Sequence, residues 1–115
     1  MIDPVSIQEP LFHYNWGDGC DGWTLVEEPL LSVKRERMPA GASEALHYHE
    51  QAQQFFYILS GTATFEISGE RIQVNEQQGL HIKAGLPHRI LNESDQPLEF
   101  ILSSQPSTKG DRINL

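Results

Sequence analysis

Short runs of β-branched and aromatic residues, cut at regular intervals by turn signals, constrain this chain more than anything else in it. They fall at Leu30–Met38, Gln54–Ser60, Thr62–Ile67, Glu70–Val74, Gly79–Lys83, Pro87–Asn92 and Leu98–Ser103. Between them lie Pro39-Ala40-Gly41, Ser60-Gly61, Ser68-Gly69-Glu70, Ala84-Gly85-Leu86-Pro87 and Asn92-Glu93-Ser94-Asp95. Gly and Pro punctuate such runs because each demands a backbone geometry that a regular strand does not offer. Ser68-Gly69 predicts a tight hairpin. With no convincing amphipathic helix, the pattern calls for an all-β sandwich or barrel, and 115 residues suffice for one hydrophobic core.

The N-terminal part reads differently. Asn15 to Trp23 holds two tryptophans and three glycines and looks like a loop whose aromatic rings pack on the barrel edge. Within the Gln54 strand, Gln54, Phe56 and Ile58 share one face, and Phe55, Tyr57 and Leu59 the other. Both faces are apolar after Gln54, which predicts a strand buried between the interior and a second packed layer. If nothing covers the outward set, a homodimer is the expected solution, because one apolar patch then serves both subunits.

Charge excludes several roles. Sixteen acidic residues against eight basic ones give a formal net charge of -8, and no basic block exceeds Lys34-Arg35. Nucleic acid and anionic membrane are therefore disfavoured as partners. No segment approaches the ~20 apolar residues of a membrane span. Cys20 stands alone, and Met1-Ile2-Asp3-Pro4 does not open a secretory signal. The expectation is a soluble, cytoplasmic protein.

His47-Tyr48-His49 carries the chemistry. On an extended segment, residues i and i+2 point to one face with Cα atoms roughly 6.5–7 Å apart. Two imidazoles so placed can meet one divalent ion at about 2.0–2.1 Å each. The competing explanation is a pair of surface histidines on an edge strand. Downstream, His88, Ile90 and Asn92 share a face. A polar Gln54 or His88 at the head of an apolar inward face needs a partner, since an unpaired buried polar group costs roughly 1–3 kcal/mol. A metal shared with His47 and His49 supplies one.

These residues resemble the cupins. Gly41, five residues, His47-x-His49, four residues, Gln54, six residues and Gly61 follow that family's first motif. Gly79 to His88, three residues and then Asn92 follow the second. The resemblance covers about Leu30 to Ser103. It implies a double-stranded β-helix (jelly-roll) barrel, with residues 1–29 as an N-terminal extension packing on it, 30–103 as the barrel and 104–115 as a tail. It also implies a divalent transition metal (Fe, Mn, Ni or Zn) held by His47, His49, Gln54 and His88, and a small-molecule ligand or substrate.

Two positions depart from the motifs. Lys83 stands where a proline often precedes Ala-Gly, and Gln54 stands where the family carries glutamate. Three neutral imidazoles and a neutral amide would leave a bound dication its full charge, lowering metal affinity and raising attraction for an anion. Gln54 is a ligand on one reading. On another it turns away to hold the small molecule, and on a third the site binds no metal. His81, one residue out of step with Ile82, is expected on the surface. Arg35 and Arg37 could anchor an anionic substrate, but charges on a barrel rim usually form exposed ion pairs. Glu44 and Glu50 are out of phase with the histidine pair, so no acid–base pair accompanies it. His13 and the tail around Gly110-Asp111-Arg112 receive no role. The functional expectation is a metal-binding small cupin, either a dioxygenase- or isomerase-like metalloenzyme acting on a small polar or anionic metabolite, or a non-catalytic binder of one.

Overall fold

The computed structural model describes residues 2–115 and contains no helix among them. Its strands are β1 (Phe12–Trp16), β2 (Cys20–Glu28), β3 (Leu31–Met38), β4 (His47–His49), β5 (Gln53–Ser60), β6 (Ala63–Ile67), β7 (Glu70–Val74), β8 (Gly79–Ile82), β9 (His88–Leu91), β10 (Leu98–Gln105) and β11 (Arg112–Asn114). They form two antiparallel sheets, in the orders β1-β2-β3-β10-β5-β8 and β11-β4-β9-β6-β7. This is the jelly-roll arrangement that the cupin resemblance implies, and it fits the all-β sandwich or barrel that the spacing of strands and turns calls for. β3 and β5 to β10 begin and end within two residues of their sequence-predicted ranges.

Turn chemistry explains much of this agreement. Ser68 and Gly69 both adopt positive φ, +48° and +87°. A two-residue hairpin of that hand matches the twist of the β6 and β7 strands it joins. At Gly61, with φ +88°, a Cβ would lie 2.6 Å from the Pro97 carbonyl oxygen, so only glycine lets the end of β5 approach the start of β10.

The core lies between the sheets. Met38, Phe56, Ile58, Leu98, Phe100 and Leu102 come from the larger sheet, and Ala63, Phe65, Val74 and Ile90 from the smaller. Phe56 packs edge-on to Phe65 across the gap, their ring centres 5.0 Å apart. Inward positions change character along β5 and β10. Ile58 and Phe100 pair in the apolar floor, whereas Gln54 and Ser104 pair toward the opposite end, where the core gives way to a polar site.

Two expectations fail. Residues 15–23 are not a loop: β1 and β2 form an antiparallel hairpin that extends the larger sheet beyond β3. The glycines misled because Gly17 and Gly19 make the turn while Gly22 sits inside a strand. Trp16 does pack, edge-on to Phe100 at 6.3 Å, but Trp23 lies outside beneath Arg37. Nor is β5 covered on both sides. Phe55 and Tyr57 stack on each other and remain 44% and 39% exposed, because the hairpin sits at the far edge of the same sheet. No helix is long and apolar enough to cross a membrane.

Candidate metal centre and its cavity

His47 and His49 share a face of β4, and His47 lies directly opposite His88 on β9. Strand period and cross-strand pairing thus bring three imidazoles together from two neighbouring strands. Ring centres are 4.4 Å apart for His47–His88, 5.1 Å for His47–His49 and 5.8 Å for His49–His88. One nitrogen from each ring lies within 4.8 Å of the others. All three side chains are buried.

The backbone orients these rings. His47 Nδ1 donates to the Ala45 carbonyl at 2.9 Å, His88 Nδ1 to Leu86 at 2.8 Å and His49 Nδ1 to Asp111 at 3.2 Å. A carbonyl can only accept, so each Nδ1 carries the proton and each Nε2 presents a lone pair. Burial disfavours the imidazolium form, taking the His47 pKa down to about 3 and lowering those of His49 and His88. Three neutral imidazoles with fixed tautomers suit a divalent transition metal, and carbonyl-anchored Nδ1 atoms are the usual support of such ligands.

Gln54 reaches the centre from the other sheet. Its Oε1 lies 3.1 Å from His88 Nε2, and its Nε2 lies 3.2 Å from Ser104 Oγ. Because His88 Nδ1–H is committed to Leu86, the two facing atoms both carry lone pairs. A neutral pair is satisfied only if the amide turns to donate its N–H to His88, whereas a cation shared by both atoms satisfies the contact as placed.

A cavity of about 440 Å³ opens beside the histidines. Phe12, Tyr14, Trp16, Lys34 and Glu36 form its far wall on β1 and β3; Glu44 and Arg112 line its edge. Glu44 corrects the expectation that no acid accompanies the histidines. Its Oε1 lies 3.9 Å from His47 Nδ1 and accepts the Ile90 N–H at 3.2 Å. Strand parity did not apply because residues 40–46 form no regular strand; an isolated Ser43–Leu91 bridge and backbone hydrogen bonds to Ile90 and Asn92 tie them to the sheet. Burial raises the Glu44 pKa to about 7, partly offset by Arg112, whose Nη1 is 3.5 Å away. Glu50 stays exposed, as its phase predicted.

The tail also enters the site. Asp111 accepts the backbone N–H groups of Glu50, Gln51 and Ala52, at 3.1, 3.0 and 2.9 Å, which pins the turn after β4. Nothing local announced this, since β11 meets β4 only in the folded chain. His81 is exposed and bonded to Gln53, and His13 pairs with Asp21 on the surface. Arg35 and Arg37 both turn outward onto Glu99, at 3.3 and 2.8 Å. Glu36, between them, points inward and is 8% exposed. Its parity with Met38 was the available signal.

The family model for the cupin domain matches residues 34–104. The chain is a cupin. Among curated relatives, this cupin is 31% identical over 67 residues to the oxalate-binding protein of Thermotoga maritima, covering 58% of its own length and 55% of that relative's. It likewise spans 60% and 44% of the length of two other relatives, less than two thirds in each case. Among solved structures it is similar to Streptomyces Pac13 with uridine: TM-score 0.84, 14% identity, covering 100% of this chain and 91% of that one. A sugar phosphate isomerase from Silicibacter pomeroyi superposes with TM-score 0.76 at 16% identity, covering 91% and 76%. At these identities the structural likenesses establish the fold alone.

Proposed function

We propose that this cupin is a divalent-metal-dependent enzyme of the isomerase or lyase type, acting on a small polar or anionic metabolite. The reading rests on one observation above all: each of three buried imidazoles spends its Nδ1–H on a backbone carbonyl. Three such commitments leave three lone pairs converging in a desolvated space, an arrangement that costs free energy unless a cation uses it. His47, His49 and His88 would hold the ion, with Gln54 as a fourth, neutral donor, and the metal would supply Lewis-acid polarisation of a substrate oxygen. Fe, Mn, Ni and Zn all suit an imidazole-rich donor set.

Size and lining support the substrate class. A cavity of about 440 Å³ admits a metabolite rather than a polymer, and Lys34 and Arg112 offer charge to an anion. The relatives and structural neighbours point the same way: an oxalate-binding protein, a sugar phosphate isomerase and a protein seen with the nucleoside uridine. Buried carboxyls in that cavity favour proton transfer over oxygen chemistry. We further propose that a second copy of the chain covers Phe55 and Tyr57.

Elemental analysis of the purified protein tests the function directly. About one equivalent of a transition metal is expected, falling to background in His47→Ala/His49→Ala. Wild-type protein that takes up no Fe, Mn, Ni or Zn from excess would refute the proposal.

A further inference from the structure

Glu36 is a buried carboxylate without an ion-pair partner among the described residues. β3 places Arg35 and Arg37 on either side of it, yet both guanidinium groups turn to the opposite face and share Glu99. On the inward face, the register sets Glu36 beside Gly22 of β2 and Phe100 of β10, with Ile58 of β5 beyond. Among the described residues, Tyr14 is its one hydrogen-bond partner, donating the phenol proton to Oε2. A buried carboxylate held for stability would be paired with a cation; here neither flanking arginine reaches it, and Lys34 and Arg112 act on it through space without an ion pair.

Gly22 makes the Tyr14 contact possible. Tyr14 and Gly22 are cross-strand partners, and a Cβ on Gly22 would lie 2.1 Å from the phenol Cζ. The missing side chain lets the ring cross β2 and reach Glu36 on β3. Lys34 adds its ammonium 5.5 Å from the centre of the same ring. The pair lines the cavity whose other side carries His47 and His49. The titratable and charged groups facing Glu36 are Tyr14 from β1, Cys20 from β2, Lys34 from β3, Glu44 from the β3–β4 connection and Arg112 from β11, while β10 presents the apolar Phe100.

We infer that Glu36 is the general base of the reaction, removing a proton from a carbon next to the carbonyl of a small bound oxo compound, with Tyr14 as its positioning residue. The inference rests on the metal-dependent function proposed above. In the step, the C–H bond breaks and the proton goes to Glu36 Oε1, the oxygen that Tyr14 leaves free. The C–H electron pair becomes a C=C bond and the carbonyl π pair moves to oxygen, giving an enolate. Returning the proton to the same carbon gives exchange; where that carbon bears a hydroxyl, returning it to the former carbonyl carbon while the hydroxyl proton passes to the enolate oxygen gives the isomeric carbonyl compound. No oxidant or reductant is consumed. Burial supports this role by raising the Glu36 pKa to about 7, so that base and acid forms coexist near neutrality. Tyr14 is itself held well above the usual phenol range by burial and by Glu36, and so remains a proton donor.

The test incubates the purified, metal-assayed protein in D2O with glyceraldehyde, dihydroxyacetone or pyruvate and reads deuterium uptake by mass spectrometry. Wild type should incorporate deuterium at a rate that rises with pH through about 7. Glu36→Gln should lose about 10²–10⁴-fold, the usual worth of a positioned base, while keeping the wild-type metal content. Tyr14→Phe should retain exchange but move the pH midpoint upward, because the phenol proton stabilises the ionised carboxylate. An infrared titration of the metal-free protein gives a readout independent of turnover: Glu36→Gln should delete a carboxylic-acid band that titrates near neutrality. The inference is overturned if the metal-loaded wild type exchanges none of the three compounds, or if Glu36→Gln exchanges as fast as wild type. Protein that takes up no metal fails at the earlier step and takes both proposals with it.

Discussion

Replacing Glu36 with glutamine should stabilise the folded protein above neutral pH. Desolvation raises the Glu36 pKa from 4.5 to about 7 in the folded chain. A raised carboxyl pKa means that the native state holds its proton more tightly than the unfolded state. Stability from this group is therefore complete below about 4.5 and is lost as pH rises through about 7. That rise, from 4.5 to about 7, corresponds to about 3 kcal/mol. Glutamine keeps the shape and can still accept the Tyr14 hydroxyl, but it never ionises. The variant should match wild type near pH 4.5 and exceed it by up to about 3 kcal/mol at pH 8. For a domain of this size, each kcal/mol is worth roughly 4 °C, so the melting temperature at pH 8 should rise by about 12 °C. Urea unfolding of both proteins at several pH values, with chelator present, reads the effect because titrating groups that do not feel Glu36 cancel in the difference, while Glu44, which the Glu36 charge pushes up, shifts in the same stabilising direction. A variant less stable than wild type at pH 8 would show that the ionised Glu36 supports the fold, and the case for it as a base would collapse.

Other expectations follow from the site. Gln54→Glu should tighten metal binding by placing a charged oxygen 3.1 Å from His88, and Gln54→Ala should weaken it; equal affinity in calorimetry across all three proteins would make Gln54 a bystander. Asp111→Ala removes the acceptor of three backbone N–H groups, two of which water can satisfy, so unfolding should cost about 1–3 kcal/mol less and metal should dissociate faster. An unchanged melting temperature and off-rate would discount the tail. Light scattering at micromolar concentration should give a dimer mass that Phe55→Glu halves; a monomeric wild type would mean the exposed Phe55–Tyr57 patch is tolerated alone.

Local rules carried the sequence a long way, and they stopped at identifiable places. Strand alternation and turn residues determined β3 and β5 to β10, because each depends on a few consecutive residues and a backbone angle such as the positive φ at Ser68-Gly69. The i, i+2 spacing determined that His47 and His49 face together. What lay beyond one strand's length was decided by tertiary structure. Phase arguments dismissed Glu44, since the segment before β4 is irregular and only the fold brings its carboxyl to His47. The Gly22 gap that lets Tyr14 reach Glu36 depends on a register across β1, β2 and β3, and the hold of Asp111 on residues 50–52 closes a loop of about sixty residues. Side-chain direction is a property of the local backbone, and the sequence by itself determined it wherever that backbone was regular. Protonation state and proximity depend on desolvation and on which strands meet. Three neutral histidines, a carboxyl raised to about 7 and the cavity between them are therefore products of the packed sheets alone.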